Sequence, residues 1–135
     1  MAHDLLFESS RFNLTVVQAH FINPCCFGED LAEWLRGRLA EGGIAASEPG
    51  QEDWGWYLGA AHAGANYFIA VGGNADEPPA ADPNHGEWRI GVERVRSLTD
   101  KLLGRNKMSA DDPVLSTMES VLCAEPDFQN VRRER

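Results

Sequence analysis

The chain has 135 residues, of which 43% are hydrophobic, including four Trp and six Phe; this is material for one core and excludes both a two-domain protein with separate cores and a wholly disordered chain. With 21 acids against 12 Lys and Arg, the net charge of −9 disfavours nucleic acid and anionic membranes as partners. No apolar run approaches the roughly 20 residues that a spanning helix needs, and three cysteines, two of them adjacent, do not suit a disulfide-stapled secreted fold, so a soluble protein of the reducing cytoplasm is expected.

Residues 1–10 carry no periodic pattern and are expected to form a flexible N-terminus ahead of a single domain over 11–126. Arg11 to Phe21 alternates, with Phe12, Leu14 and Val16 on one side, and predicts the first strand. Asn23 to Gly28 breaks it, and Glu29 and Asp30 open a helix whose stripe is Phe27, Leu31, Trp34, Leu35 and Leu39, ended by Gly42 and Gly43. A turn over Glu48 to Gln51 leads into a strand from Asp53 to Ala61, whose alternation sends Trp54, Trp56, Leu58 and Ala60 to one side. His62 to Ala65 connects it to a second strand, Asn66 to Gly72, as a hairpin. The segment 73–86, rich in Pro, Gly and acids, predicts an exposed, mobile acidic loop.

Glu87 to Arg94 alternates again, with Trp88, Ile90 and Val92 on the apolar side. The period then changes: Val95, Leu98, Leu102 and Leu103 fit a helix stopped by Gly104. Asp112 as N-cap and Pro113 at the first position start another, with Val114, Leu115, Met118, Val121 and Leu122 as its stripe and Pro126 beyond its end. The tail 127–135 is unpatterned. The order β-α-β-β-β-α-α predicts an α+β two-layer domain, a four-stranded, mostly antiparallel sheet with helices on one face. Tyr57, Phe68, Gly55, Gly59 and Gly91 are out of phase with the apolar sets and are expected on the open face.

Candidate chemistry is sparse, and no motif carries a family resemblance. Cys25 and Cys26 precede a helix N-terminus with His20 nearby, a conceivable nucleophile and base, but no cation neighbours them and two acids oppose a thiolate, so inert thiols are expected. A metal site assembled from His62, Glu52 and Asp53 lacks any ligand spacing to support it, and no cofactor is expected. Gly72 to Glu77 follows a strand without the lysine of a phosphate cradle, and no Gly-x-Ser-x-Gly turn is present. The run Glu52-Asp53-Trp54-Gly55-Trp56-Tyr57 is the most unusual, joining two carboxylates to three large aromatics.

Charge is uneven along the chain. Glu41 to Glu87 holds eight acids and no Lys or Arg, whereas Trp88 to Lys107 holds six bases against two acids. The bases Arg89, Arg94, Arg96, Lys101, Arg105 and Lys107 balance the acidic half or complement a second copy of the chain. The leading expectation is therefore a small acidic interaction protein without catalytic activity, an inhibitor, immunity-type protein or adaptor that engages a basic protein surface through acids such as Asp76, Glu77 and Asp82. The competing expectation is a small-molecule-binding or enzymatic domain with a sheet–helix pocket around Glu52, Asp53, Trp56, Tyr57 and His62. A homodimer joined through the open sheet face is the third.

Overall fold

The apolar run Leu5-Leu6-Phe7, which alternation does not flag, lies in the interior of the sheet. The computed structural model describes residues 3–24 and 26–134. Their order is β1 (His3–Ser9), α1 (Glu29–Glu41), β2 (Ala45–Ala46), β3 (Gly50–Glu52), β4 (Gly55–His62), β5 (Ala65–Ala75), β6 (Gly86–Arg94), α2 (Leu98–Leu103), α3 (Pro113–Cys123) and β7 (Gln129–Glu134). The sheet runs β2-β4-β5-β6-β1-β7, with β3 also on β4 and every pairing antiparallel. The protein is thus α+β, with seven strands among the described residues where the sequence predicts four.

The extra strands have identifiable causes. In β1, Leu5 and Phe7 face the helices, while Leu6, 1% exposed, is covered on the opposite face, where it pairs across strands with Arg89 and Arg132. A strand buried on both faces reads as an apolar run and not as alternation, so the expectation of a flexible segment over 1–10 is corrected for His3–Ser9; residues 1 and 2 lie outside the described residues. The tail also becomes a strand, β7, held at the edge by Arg132 on Glu87 at 2.6 Å and Arg133 on Glu119 at 2.9 Å. Val131 is its only aliphatic side chain, which leaves no pattern to read. The strand predicted over Arg11 to Phe21 does not form. Asn13 Oδ1 accepts from the amides of Thr15 at 3.0 Å and Val16 at 2.8 Å, and Asn84 Oδ1 accepts from that of Leu14 at 2.9 Å, so side chains take the donors a ladder would use. Gly73 to Ala75 prolongs β5 and Gly86 opens β6, shortening the predicted loop to residues 76–85.

The predicted hairpin between β4 and β5 turns at Ala63 and Gly64, with φ of 49° and 78°, the left-handed pair of a type I′ turn. Both long helices lie where their stripes place them. Leu31, Ala32, Leu35 and Leu39 of α1 and Val114, Leu115, Met118 and Leu122 of α3 form one buried cluster with Leu5, Phe7, Leu58, Ile69, Ile90 and Val92. Trp88, fully buried, lies over Gly73, where a Cβ would come within 2.5 Å of its ring; only glycine lets the indole lie against that strand. Its N–H has no hydrogen-bond partner among the described residues, and Phe12 meets the ring edge-on at 5.7 Å.

The short helix α2 forms with a Ser97–Asp100 capping box and a left-handed Gly104 at φ 67°, but none of its residues is buried. Its apolar side faces outward, against the expectation that periodicity marks a core face.

Candidate functional site

With α1 and α3 on one face, the other face of the sheet is open, and the small residues thin it. Ala70 pairs with Gly91, Gly91 with Asp4, and Gly72 with Arg89. These residues line the open side of a trough of about 620 Å³, which also reaches Trp54, Phe68, Glu93 and Asn74. At Gly72 a Cβ would meet nothing within 4 Å, so this part of the floor is open space. Beyond Gly55, where β4 stops and β5 continues, Cys26 and Phe27 come in to border the trough.

One wall is aromatic. Tyr57 stacks on Phe68 with ring centres 5.3 Å apart and 22° between planes, and Trp54 meets Phe68 at 6.2 Å and Tyr57 at 6.5 Å. Trp54 is 51% exposed and Phe68 37%. The expectation that Trp54 accompanies Trp56 into the core is thereby corrected. Gly55 has φ 153°, a conformation L side chains rarely adopt, and at this glycine the alternation between the two indoles is lost. Trp56, 3% exposed, does enter the core, where its Nε1 donates to the Cys26 carbonyl at 2.9 Å. Gly50 is what allows Tyr57 to lie flat: a Cβ there would fall 2.4 Å from the phenol ring.

The other wall is charged but neutralised. The Arg89 guanidinium donates to Asp4 and, at 3.0 Å, to Glu134. The hydrogen bond to Asp4, then that to Glu134, raises the arginine's pKa further above its ordinary value. Glu93 stands exposed at the end next to Phe68, and Glu52 and Asp53 stand exposed in the β3–β4 turn beside Trp54. Acids therefore flank the aromatic wall on two sides.

The candidate residues divide accordingly. Glu52, Asp53 and Tyr57 lie with the aromatic wall. Trp56 is on the opposite face, and His62 is at the far end of β4, about 20 Å along the strand from Trp56 at roughly 3.3 Å per residue. The sheet does not gather the five residues named for a sheet–helix pocket. Cys25 lies outside the described residues, Cys26 is half-buried, and His20 Nε2 is engaged by Glu29 at 2.7 Å. Among the described residues no group of three or more His, Cys, Asp and Glu side chains converges as metal ligands would, and no helix is long and apolar enough to cross a membrane.

Asp76, Glu77 and Asp82 sit in the loop that follows Asn74 off the end of the trough. Glu77 and Asp82 are exposed, and Asp82 Oδ1 accepts from the Asn84 amide at 2.9 Å. Asp76 is not free to steer a partner alone: it holds His85 Nδ1 at 2.5 Å. That hydrogen bond is the main cause raising the His85 pKa, with smaller contributions from Gln129 and Glu8 and an opposing one from desolvation. Because the folded value lies above the unfolded one, the pair's contribution is fully present below about pH 6.5 and is lost as pH rises through the raised folded value. An NMR titration of the imidazole should give a midpoint above 6.5 in the native protein and near 6.5 in Asp76→Asn.

Strand phase in the sequence puts Tyr57, Phe68 and Gly91, with Ala70, Arg89 and Glu93, on the face away from the apolar sets, but none of Asp4, Ala70, Gly72, Arg89 and Glu93 is singled out by it as a site residue. The phase of Phe68 continued along β5 reaches Ala70 and Gly72, and that of Gly91 on β6 reaches Arg89 and Glu93, so the signal was present for four of the five. Compared with known proteins, the chain matches no family model, no curated protein and no solved structure.

Proposed function

We propose that the protein is a non-catalytic binding module, of the inhibitor or adaptor kind, whose open sheet face takes a Lys- or Arg-bearing segment of a protein partner. The observation that carries this reading is the Trp54–Tyr57–Phe68 cluster, with Trp54 and Phe68 exposed and Tyr57 half-buried, standing over a small-residue floor with Glu93, Glu52 and Asp53 around it. Aromatic faces attract ammonium and guanidinium groups, by about 0.5–1 kcal/mol when exposed and more when desolvated, and a nearby carboxylate adds charge complementarity. The floor of Ala70, Gly72 and Gly91 lets a partner's chain come close to the sheet. The exposed loop acids Glu77 and Asp82, together with the net charge of −9, favour approach by a basic surface. A second reading, a small cationic ligand in place of a protein segment, is favoured by the trough's 620 Å³, which falls in the range of small-molecule sites.

Fluorescence of Trp54 provides the test. Titration with Lys- and Arg-containing peptides should change its emission, with affinity falling as salt rises, while acidic and neutral peptides of the same length should not. In Trp54→Ala/Phe68→Ala, binding of the basic peptides, followed by calorimetry, should fall by about tenfold or more. Equal binding of acidic and basic peptides, or undiminished binding by the double variant, counts against the assignment. Binding of a free arginine amide as tightly as of a peptide selects the small-ligand reading.

A further inference from the structure

The outward apolar side of α2 is the feature the trough does not explain. Leu98, Leu102 and Leu103 are 74%, 77% and 64% exposed, and Val95 beside them 57%. The helix is not a frayed end: it has a capping box at its start and a left-handed glycine at its stop, so three large aliphatic side chains are held in water by a well-built element, with Val95 just before its cap. The bases of the chain gather around them. Arg96 is pinned by the carbonyls of Arg105 at 2.9 Å and Asp100 at 3.1 Å, and Lys101, Arg105 and Lys107 are exposed. The surface is apolar at its centre and positive at its rim.

The complementary surface lies at the other end of the same two strands. The loop 76–85 joins β5 to β6 opposite the end from which α2 departs; its Glu77 and Asp82 are exposed, as are Pro78, Pro79, Ala81 and Pro83. It is thus apolar and negative where α2 is apolar and positive. The nine residues of β6 keep the two ends about 30 Å apart, so they do not meet within one molecule. A symmetric contact of α2 with its own copy opposes Lys101, Arg105 and Lys107 to one another, which disfavours it.

We propose that α2 is a self-association surface, receiving the Pro-rich acidic loop 76–85 of a second copy in a head-to-tail contact. A ten-residue loop against four aliphatic side chains offers fewer residues than the roughly 20–30 per partner of a standard stable interface, so the association is weak, concentration-dependent and salt-sensitive.

Sedimentation velocity on the full chain, from low micromolar to near-millimolar protein, should show the weight-average mass rising at low salt and returning to that of the monomer at high salt. Leu98→Ser/Leu102→Ser and, separately, Lys101→Glu/Lys107→Glu should each weaken association about tenfold or more, with unchanged thermal unfolding because none of these side chains is buried. Glu77→Lys/Asp82→Lys should also fail alone, and mixing it with Lys101→Glu/Lys107→Glu should restore association, because the mixture pairs an unaltered loop with an unaltered α2 and a reversed loop with a reversed α2. A monomer at every concentration in low salt, or association unaffected by the α2 variants, overturns the proposal. Trp54→Ala alters the trough, at a residue that borders neither α2 nor the loop 76–85, so loss of association in that variant also overturns it and assigns the contact to the trough face.

Discussion

Asp112→Ala should cost about 3 kcal/mol, enough to lower the melting temperature of a chain this size by roughly 10 °C. Asp112 is 2% exposed and does two jobs with its two oxygens. Oδ1 accepts from the amides of Val114 at 2.9 Å and Leu115 at 3.4 Å, capping α3, and Oδ2 accepts from the Tyr67 hydroxyl of β5 at 3.0 Å. Losing a cap costs about 1 kcal/mol, and leaving a buried hydroxyl without its acceptor costs a further 1–3 kcal/mol. Arg94, 3.8 Å away and partly exposed, adds little. Burial first and Asp112 second raise the Tyr67 pKa, so the hydroxyl stays protonated and needs an acceptor. A double-mutant cycle checks the assignment. Tyr67→Phe removes the orphaned hydroxyl, so Asp112→Ala/Tyr67→Phe should be more stable than the sum of the single effects predicts, by about 1 kcal/mol. Additive losses would show that the cap alone carries the effect. Asp112→Asn, which keeps an acceptor oxygen for the cap, should retain more stability than Asp112→Ala.

How much of the structure was legible can be argued from the same residues. Asp112 and Pro113 are local signals whose chemistry works within one turn, and α3 begins where they place it. The stripe of α1 and the period-2 pattern of β4, β5 and β6 likewise report a single buried face, and those elements form with boundaries shifted by at most a few residues. What failed was everything set by non-local partners. β1 is read as a tail because its second face is covered by Arg89 and Arg132, the latter 126 positions from Leu6 in sequence. β7 exists because β1 offers it an edge, and its arginines find Glu87 and Glu119 only after the fold is made. The alternation of Arg11 to Phe21 was real but unused, since Asn13 and Asn84 claim its amides. For α2 the period correctly gave the helix and wrongly gave its burial, because periodicity reports that one side is apolar and not what covers it. The aromatic wall was half visible for a similar reason: Tyr57 and Phe68 obey strand phase, whereas Trp54 escapes it at Gly55.

Gly72→Leu should weaken binding on the open face by about tenfold or more while leaving the fold as stable as before or slightly more so. A Cβ at this position meets nothing within 4 Å, so no neighbour has to move to admit it, and the trough above leaves space for the rest of the side chain. Glycine in a strand interior is destabilising by about 0.5–1 kcal/mol relative to residues with a side chain, so its replacement offsets any cost of exposing the leucine. The new isobutyl group stands on the trough floor between Arg89 and the aromatic wall, in the volume a partner's chain would occupy. Titration with the basic peptides should then show affinity lower by about tenfold or more, together with an unchanged or higher melting temperature. Gly91 is a poorer site for the same experiment, because a Cβ there lies 3.2 Å from Asp4 Oδ1 and would disturb the carboxylate that holds Arg89. Undiminished binding by Gly72→Leu alongside loss in Trp54→Ala/Phe68→Ala would mean that the rings act as an exposed surface and the trough beside them is not entered. Loss in both variants, with stability retained in Gly72→Leu, requires that the ligand fill the space over the floor, since only occupancy of that space is common to the two substitutions.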